Sequence, residues 1–486
     1  MAPQDLSRRS RMLILATCCM SLFIVGIDVT IVNVALPSIQ HDLHASVSGL
    51  QWTIDAYTLV LASFLMLSGS TADRIGRRRI FQTGLVLFTV GSGLCSLAPS
   101  LGWLVGFRML QAIGGSMLNP VAMSIITNTF TDRRERAQAI GIWGGVIGIS
   151  MALGPLAGGV LVQSVGWQGI FWVNIPVGIA ALVLTVLFVP ESRAAHARKI
   201  DPVGQLLVIV VLASLTYAII EGPGAGWGSA RILGLFVLAA VSVAGLIGYE
   251  LRRPEPLIDV RFFRSAPFSG ATMIAICAFA ALAGFLFLNT LYLQDVRGYS
   301  ALQAGLYTLP MAAMTALFAP LSGRIVGARG PRLPLVVAGV AITVSAIMLT
   351  QLAAHTSDGL LLTAYVIFGI GFGLVNAPIT NTAVSGMPVS QAGVAAAIAS
   401  TSRQVGSALG VAVVGSAVTS ALHGPIRLGF ASASHLGWWI VVGCGVAVLA
   451  IGLLTSGRWA RGTAERTASQ LMPPADSVPA PSPAVR

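Results

Sequence analysis

Three ionisable side chains stand inside long apolar stretches of this sequence: Asp28, Asp55 and Arg108. Of 17 acidic residues, only Asp28 and Asp55 lie clearly within such stretches, while Glu221 and Glu250 fall at their ends. A charge in an apolar slab is costly, so each is a functional candidate by default. Desolvation favours the neutral form of a lone carboxyl, and a neighbouring cation favours the charged form. A carboxylate that gains and loses such a neighbour can therefore load and release a proton. With a helical rise of ~1.5 Å per residue, Asp28 lies roughly 13 Å inside its stretch, Asp55 roughly 8 Å and Arg108 roughly 9 Å. Similar depths allow one shared polar cluster. The competing reading is an ion pair that only holds helices together.

These charges need helices to hold them. The chain has 486 residues, 55% hydrophobic and 9% charged, where a soluble domain carries about 25% charged residues. Its apolar residues fall into runs long enough to cross a bilayer. Fourteen spans are expected, at 11–37, 50–70, 80–98, 102–128, 137–163, 168–190, 203–222, 231–250, 268–293, 302–326, 332–352, 359–383, 393–421 and 434–456. The stretch after Arg11 lacks a small-residue cleavage site and reads as a span, not a leader. With the N-terminus inside, 24 of 29 basic residues fall on inner segments, as the positive-inside rule requires. Arg231, Arg297 and Arg427 fall outside, Arg108 and Arg403 within spans, and the inner loop at 385–391 has no charge. Trp52, Trp103, Trp167, Trp227 and Trp438 fall at outer span ends, where interfacial anchors are expected.

The formal charge of +12 belongs to dispersed loop arginines, with Lys199 the only lysine, so no nucleic-acid partner is expected. Cys18, Cys19, Cys95, Cys277 and Cys444 have no CxxC spacing, and no disulfide framework or metal site is expected. His41 and His44 stand in an exposed loop without further ligands. There is no GxxxxGK[ST] loop, and no cofactor is expected.

Three further constellations stand out. Span 5 crowds Gly141, Gly144, Gly145, Gly148, Gly154, Gly158 and Gly159 around Pro155. Small residues let helices approach closely, and proline bends a helix; ordinary close packing is the plainer account. The run at 69–79 places Asp73 between Gly69 and Gly76, with Arg74 and Arg77 beside it. Topology alone explains the arginines but not the acid. The spacing returns as Gly323-x6-Gly330, with Gly327 where Asp73 would be, a faint internal repeat. Arg403 and Gln404 lie mid-span and either face a cavity or cap a helix contact.

At these residues the sequence resembles the fourteen-helix drug:proton antiporters of the major facilitator superfamily. Residues 28–37, with Asp28, Thr30, Asn33 and Pro37, resemble the first-helix signature. Residues 69–78 resemble the loop motif, and residues 108–114 resemble the helix-4 motif, with Ala112 where glycine is usual. Gly141, Gly154, Pro155, Gly158 and Gly159 resemble the helix-5 antiporter motif, with Ser150 replacing another glycine. Residues 171–178 and 293–299 also look like family segments.

The resemblance implies an all-α polytopic membrane protein of the major facilitator fold. Two six-helix bundles, 11–190 and 268–456, would flank two inserted helices at 191–267, between a cytoplasmic N-terminus at 1–10 and a disordered cytoplasmic tail at 457–486. It implies a non-enzymatic, monomeric exporter of small amphipathic compounds, working against proton influx across the bacterial cytoplasmic membrane. Asp28 and Arg108 carry over as coupling residues; Gly154 and Pro155 as a helix bend; Asp73 and Arg77 as a conformational latch. Asp55, with Trp52, Tyr57 and Gln111, is expected to meet substrate, and Asn33, Arg403 and Gln404 to face the cavity. A dedicated exporter of a natural product made by the same cell is the nearest alternative. A channel would present a repeated filter or a ring of like charge, and neither occurs; a non-transporting receptor is the remaining rival.

Overall fold

A computed structural model describes residues 7–194, 201–253, 256–385 and 392–471. The uncharged inner loop at 386–391, Arg198, Lys199 and the end of the tail lie outside the described residues. The helices in chain order are α1 (Arg8–Leu43), α2 (Val47–Ile75), α3 (Arg77–Ser96), α4 (Leu101–Thr129) and α5 (Arg133–Val165). Then come α6 (Gly169–Trp172), α7 (Asn174–Phe188), α8 (Pro202–Ala225), α9 (Ala230–Glu250), α10 (Ala266–Leu291) and α11 (Ala301–Arg329). The chain continues with α12 (Arg332–Leu349), α13 (Asp358–Val384), α14 (Ala392–Ala421), α15 (Ile426–Thr455) and α16 (Arg458–Leu471). Among the described residues, twelve helices are long and apolar enough to cross a membrane. Their outward faces are apolar: Val237, Val241, Leu187 and Leu317 are each about half exposed or more, as lipid contact requires.

Local chemistry sets the helix ends. Ser46, Asp132, Asp201 and Ser229 cap the starts of α2, α5, α8 and α9 by accepting from backbone N–H groups one turn on. At α11 a full capping box forms between Ser300 and Gln303. The repeated glycine spacing has a structural counterpart. Gly76 ends α2 at φ 137° and Gly330 ends α11 at φ 82°, backbone that favours glycine.

The packing repeats with the sequence. Helix α1 lies on α5 as α10 lies on α14; α2 lies on α4 as α11 lies on α13; α3 lies on α7 as α12 lies on α15. The first half also touches the second through equivalent pairs, α5 with α11 and α14 with α2. Helix α8 packs on both α2 and α14 and carries α9 on its outer side.

Among the described residues, the apolar core that the two halves share lies toward one end. One apolar core runs through the second half and takes in Ile31, Leu36, Leu50, Ile54, Trp167 and Phe171 of the first, all toward the end away from both termini. A separate core, with Ile14, Cys18, Ile80, Phe81 and Ile125, belongs to the first half alone, at the arginine-rich end. The contacts agree. Gln51 Nε2 donates to the carbonyls of Val411 (3.1 Å) and Ala412 (2.9 Å), and Gln294 Nε2 donates to Val34 O (2.8 Å). Deeper toward the arginine end, Gly141, Gly145, Gly323 and Gly327 have open space where a side chain would be.

Two expectations need correction. Trp167 and Trp438 are buried, packed edge-on against Phe171 and Phe285, and cannot anchor at a lipid interface. Trp103 and Trp227 are exposed at their span ends. The tail is not disordered from residue 457, since Arg458–Leu471 form α16. Ala460, Ala464, Thr467 and Leu471 recur at helical spacing and are buried against the rest of the fold.

Candidate functional site: a buried ion pair at the junction of the halves

Asp28 stands in α1 where the shared core gives way to the first half's own core. Its side chain is fully buried. Arg108 Nη1 on α4 donates to Asp28 Oδ2 at 2.6 Å, and Gln111 Nε2, one turn on, donates to Oδ1 at 2.8 Å. Asn174 Nδ2 donates to the same Oδ1 at 3.1 Å and to Ser92 Oγ on α3 at 3.0 Å. Ser92 in turn donates to Phe171 O at 2.9 Å. Arg108 also donates to Gln111 Oε1 (2.8 Å) and, through Nε, to Thr53 O of α2 (3.3 Å). Its guanidinium lies 4.2 Å over the ring of Tyr57, a cation–π contact that desolvation strengthens.

One carboxylate thus takes donors from α4 and from the start of α7, within a cage that α2 and α3 complete. The break between α6 and α7 makes this possible. Pro176 has no N–H to offer Trp172 O, the helix interrupts there, and Asn174 opens the next helix with its amide on Asp28. Removing one member of a buried ion pair costs ~3–5 kcal/mol, because the other charge remains. Chemically, the cage can do one thing that a neutral cluster cannot. A proton on Asp28 removes the negative charge that donors from several helices share.

Asp55 is not part of this cluster. It is fully buried on α2, with Thr58 Oγ1 at 3.5 Å as its side-chain donor and Oδ2 without a partner. Gln51 and Trp52, four and three residues before it, share its helical face. Gln51 binds α14, and Trp52 Nε1 donates to Glu221 Oε1 on α8 at 2.8 Å while stacking on Tyr217. The aromatic pair expected around Asp55 is therefore engaged elsewhere: Trp52 on α8, Tyr57 on Arg108.

Of the other anticipated residues, Asn33 is buried and its amide caps Val29 O (2.9 Å). Arg403 donates to Thr380 Oγ1 at 2.5 Å and lies 5.9 Å over Phe279; Gln404 beside it is half-buried. Asp73 accepts from Arg77 Nε and Nη2 at 3.0 and 2.9 Å, and its carbonyl accepts from Ala194 N. Glu191 reaches Arg78 N (3.1 Å), and its carboxylate crowds Gly76, while Arg74 is exposed. This loop is therefore strapped to the segment after α7, within its own half. A Cβ at Gly69 would meet Pro120 Cβ at 3.7 Å, an ordinary contact between α2 and α4.

Helix α5 links the cage to the other half. A methyl at Gly154 would sit 1.9 Å from Thr30 Oγ1, and one at Gly158 2.9 Å from Ile31, so α5 lies directly on α1 just past Asp28. On its other face, Gly159 meets the backbone of Leu302, and Pro155 O meets Gly305 of α11. Ser150, where glycine was expected, finds its room at Gly26 of α1. Gly141 has open space around it.

Sequence reasoning missed Ser92 and Asn174 as partners of Asp28. Asn174 left a signal, a strong amide inside an apolar span just before a proline. Ser92 left none, because serines are common in packed membrane helices.

Residues 18–411 match the Major Facilitator Superfamily. The chain is 38% identical over 419 residues to the multidrug resistance protein Stp of Mycobacterium tuberculosis, covering 86% of this chain and 78% of that protein. It is 38% identical to the tetracenomycin C resistance and export protein of Streptomyces glaucescens, covering 82% and 74%. The multidrug efflux pump LfrA of Mycolicibacterium smegmatis is 32% identical, covering 84% and 80%. Among solved structures, a bacterial homologue of the human lysosomal transporter Spinster superposes with a TM-score of 0.67 over 96% of this chain and 99% of that one, at 18% identity.

Proposed function

The chain belongs to the Major Facilitator Superfamily, and on that premise we propose that it exports amphipathic, chiefly cationic compounds across the bacterial cytoplasmic membrane in exchange for protons, by alternating access. It is a multi-pass membrane transporter, not an enzyme. The observation that carries the proton-coupled reading is the Asp28 cage: a buried carboxylate whose ionic partner and amide donors come from separate helices. In this reading Asp28 is the proton carrier and Arg108 the cation that competes with the proton for it. Protonation at Oδ2 breaks the ionic bond to Arg108 and weakens the charge-assisted hold on Gln111 and Asn174 at Oδ1. The loosened α1 then shifts against α5 at Thr30–Gly154, and α5 passes the movement to α11 at Pro155–Gly305.

Asp55 serves in this reading as a recognition charge for cations. It lies at the meeting of α2, α8 and α14, which a separation of the halves would uncover. Asp73 and Arg77 act as a latch at the arginine-rich end. That end faces the cytoplasm, since cytoplasmic loops collect arginine, and both termini lie there. We count fourteen crossings, adding α3 and α5 to the twelve apolar helices; the 20 residues of α3 reach ~30 Å, a bilayer core. One chain holds both halves, so a monomer suffices.

A second reading has its own support. The relatives include an exporter named for a single antibiotic, tetracenomycin C, as well as multidrug pumps. A dedicated natural-product exporter would use the same coupling cage with a narrower site.

The test uses ethidium, an amphipathic cation. Adding it to the purified protein in weakly buffered detergent should release protons, read with a pH dye. Asp28→Asn should abolish that release and all proton-driven export, while Asp55→Asn should weaken export of cations and spare neutral compounds. Because Asp28→Asn leaves Arg108 unpaired, the double variant Asp28→Asn/Arg108→Gln serves as the folded control. Proton exchange that survives in both Asp28 variants would move the coupling site elsewhere.

A further inference from the structure

We propose that α16 and the turn before α10 together form a docking surface for the headgroups of anionic phospholipids. The inference rests on the membrane location of the chain and not on what it transports.

The fold brings two segments some 200 residues apart onto one platform. The turn Val260–Arg264 and the first residues of α10 receive α16 along its buried stripe of Ala460, Ala464, Thr467 and Leu471. Thr463 Oγ1 accepts from Ala266 N at 2.9 Å, and Arg264 Nη1 donates to Gln470 Oε1 at 3.3 Å. Phe262 is buried edge-on against Phe268 and fixes the turn beneath. With its small-residue face used up, α16 turns its charged face outward.

That outer face is one-signed. Arg261, Arg264, Arg458, Arg461 and Arg466 are exposed, against Glu465 as the exposed acid among the described residues of these segments. Asp259 is spent on Arg261, at 2.8 Å. Among the described residues, Arg458, Arg461 and Arg466 have no carboxylate within ion-pair distance. The positive-inside rule accounts for arginines in each loop separately. It does not account for the contacts that bring Arg264 beside α16.

Apolar side chains beside the arginines identify the partner. Leu454 is 68% exposed on the last turn of α15, and Trp459 is 67% exposed four residues beyond that helix. Ser456 and Gly457 turn the chain between the two helices, so Trp459 lies in the first turn of α16, just past the end of the span. Phe263 is likewise exposed next to Arg264. An acidic protein would meet the arginines but leave these three side chains in water. A bilayer surface takes both, with tryptophan at the interface and arginine on the phosphates.

The experiment measures binding of fluorescent phosphatidylglycerol to the purified full chain in neutral detergent, with phosphatidylcholine as the comparison. The wild type should prefer phosphatidylglycerol, and added salt should weaken the preference. Arg458→Gln/Arg461→Gln/Arg466→Gln should lower that affinity at least about tenfold, since each arginine near an anionic surface contributes appreciably. The matching triple lysine variant should keep most of it, and Trp459→Ala should lower affinity for the lipid. Unchanged binding by the glutamine variant overturns the proposal. So does competition by free glycerol 3-phosphate as strong as by the lipid, which would make this a simple anion site. Because the readout is lipid binding, a wrong transport assignment would leave the result untouched.

Discussion

Gly305 is the position where the structure allows a conformational equilibrium to be moved by one methyl group. A Cβ there would lie 2.4 Å from Pro155 O and 2.9 Å from Pro155 C, both backbone atoms of α5. Ordinary contact begins near 3.4 Å, so α5 and α11 must part by about 1 Å at this level. Neither neighbour is a side chain that could swing aside. Overpacking of this kind costs ~1–3 kcal/mol, and the cost falls only on the state in which the helices touch. Gly305→Ala should therefore shift the balance toward the state open at the far end from the termini by roughly 5- to 150-fold. Spin labels at Ser100 and His423, exposed on the outer loops of the two halves, would report it as a longer distance population in a cysteine-free background. Gly323→Ala on the same helix, with open space around it, should leave the distribution unchanged. If Gly305→Ala gives the wild-type distances and wild-type export, the α5–α11 contact does not gate the outer end.

Pro155→Ala should leave expression and folding nearly intact but reduce uphill export in everted vesicles; full concentrative export by a well-expressed variant would count against any role of the bend beyond packing. Reporter fusions at Ser192 and at the C-terminal end should both read cytoplasm and one at Gly226 the opposite side. The same side for Ser192 and Gly226 would break the span count between them.

What the sequence made legible was whatever physics forbids elsewhere. Asp28 and Arg108 stood out because a charge in an apolar helix needs a partner, and the structure joins them at 2.6 Å. The helices stood out by hydrophobic length, and Gly154, Gly158 and Gly159 by crowding on one helix. What stayed hidden depended on which helices become neighbours. Nothing local says that Ser92 faces Phe171 O, or that Tyr57 lies under a guanidinium and not beside Asp55. The same blindness misplaced Trp167 and Trp438, because a tryptophan near a span end is equally suited to lipid and to a helix seam. Helix α16 escaped because proline and alanine further along the tail masked the three- and four-residue spacing of Ala460, Ala464, Thr467 and Leu471.

The two halves share a packing plan but not a charge plan, and this bears on where a proton can act. Arg108 is the eighth residue of α4; Tyr365 is the eighth residue of α13, the helix that repeats α4 in the second half. Tyr365 is also fully buried, and its hydroxyl donates to Asn289 Oδ1 at 2.6 Å on α10, the helix that repeats α1. The second half thus keeps a polar bond between the same pair of helices, built from neutral groups and walled by the stacked rings of Phe285 and Phe368. The glycine-bounded loop shows the same substitution: Asp73 in the first half, Gly327 in the second. A proton arriving from either side finds a carboxylate to neutralise at the α1–α4 contact and none at the α10–α13 contact. Under the proposed mechanism the first half is then the moving part that senses protonation. The second half is the surface against which it closes, through α11 at Gly305 and α14 at the carbonyls that Gln51 holds.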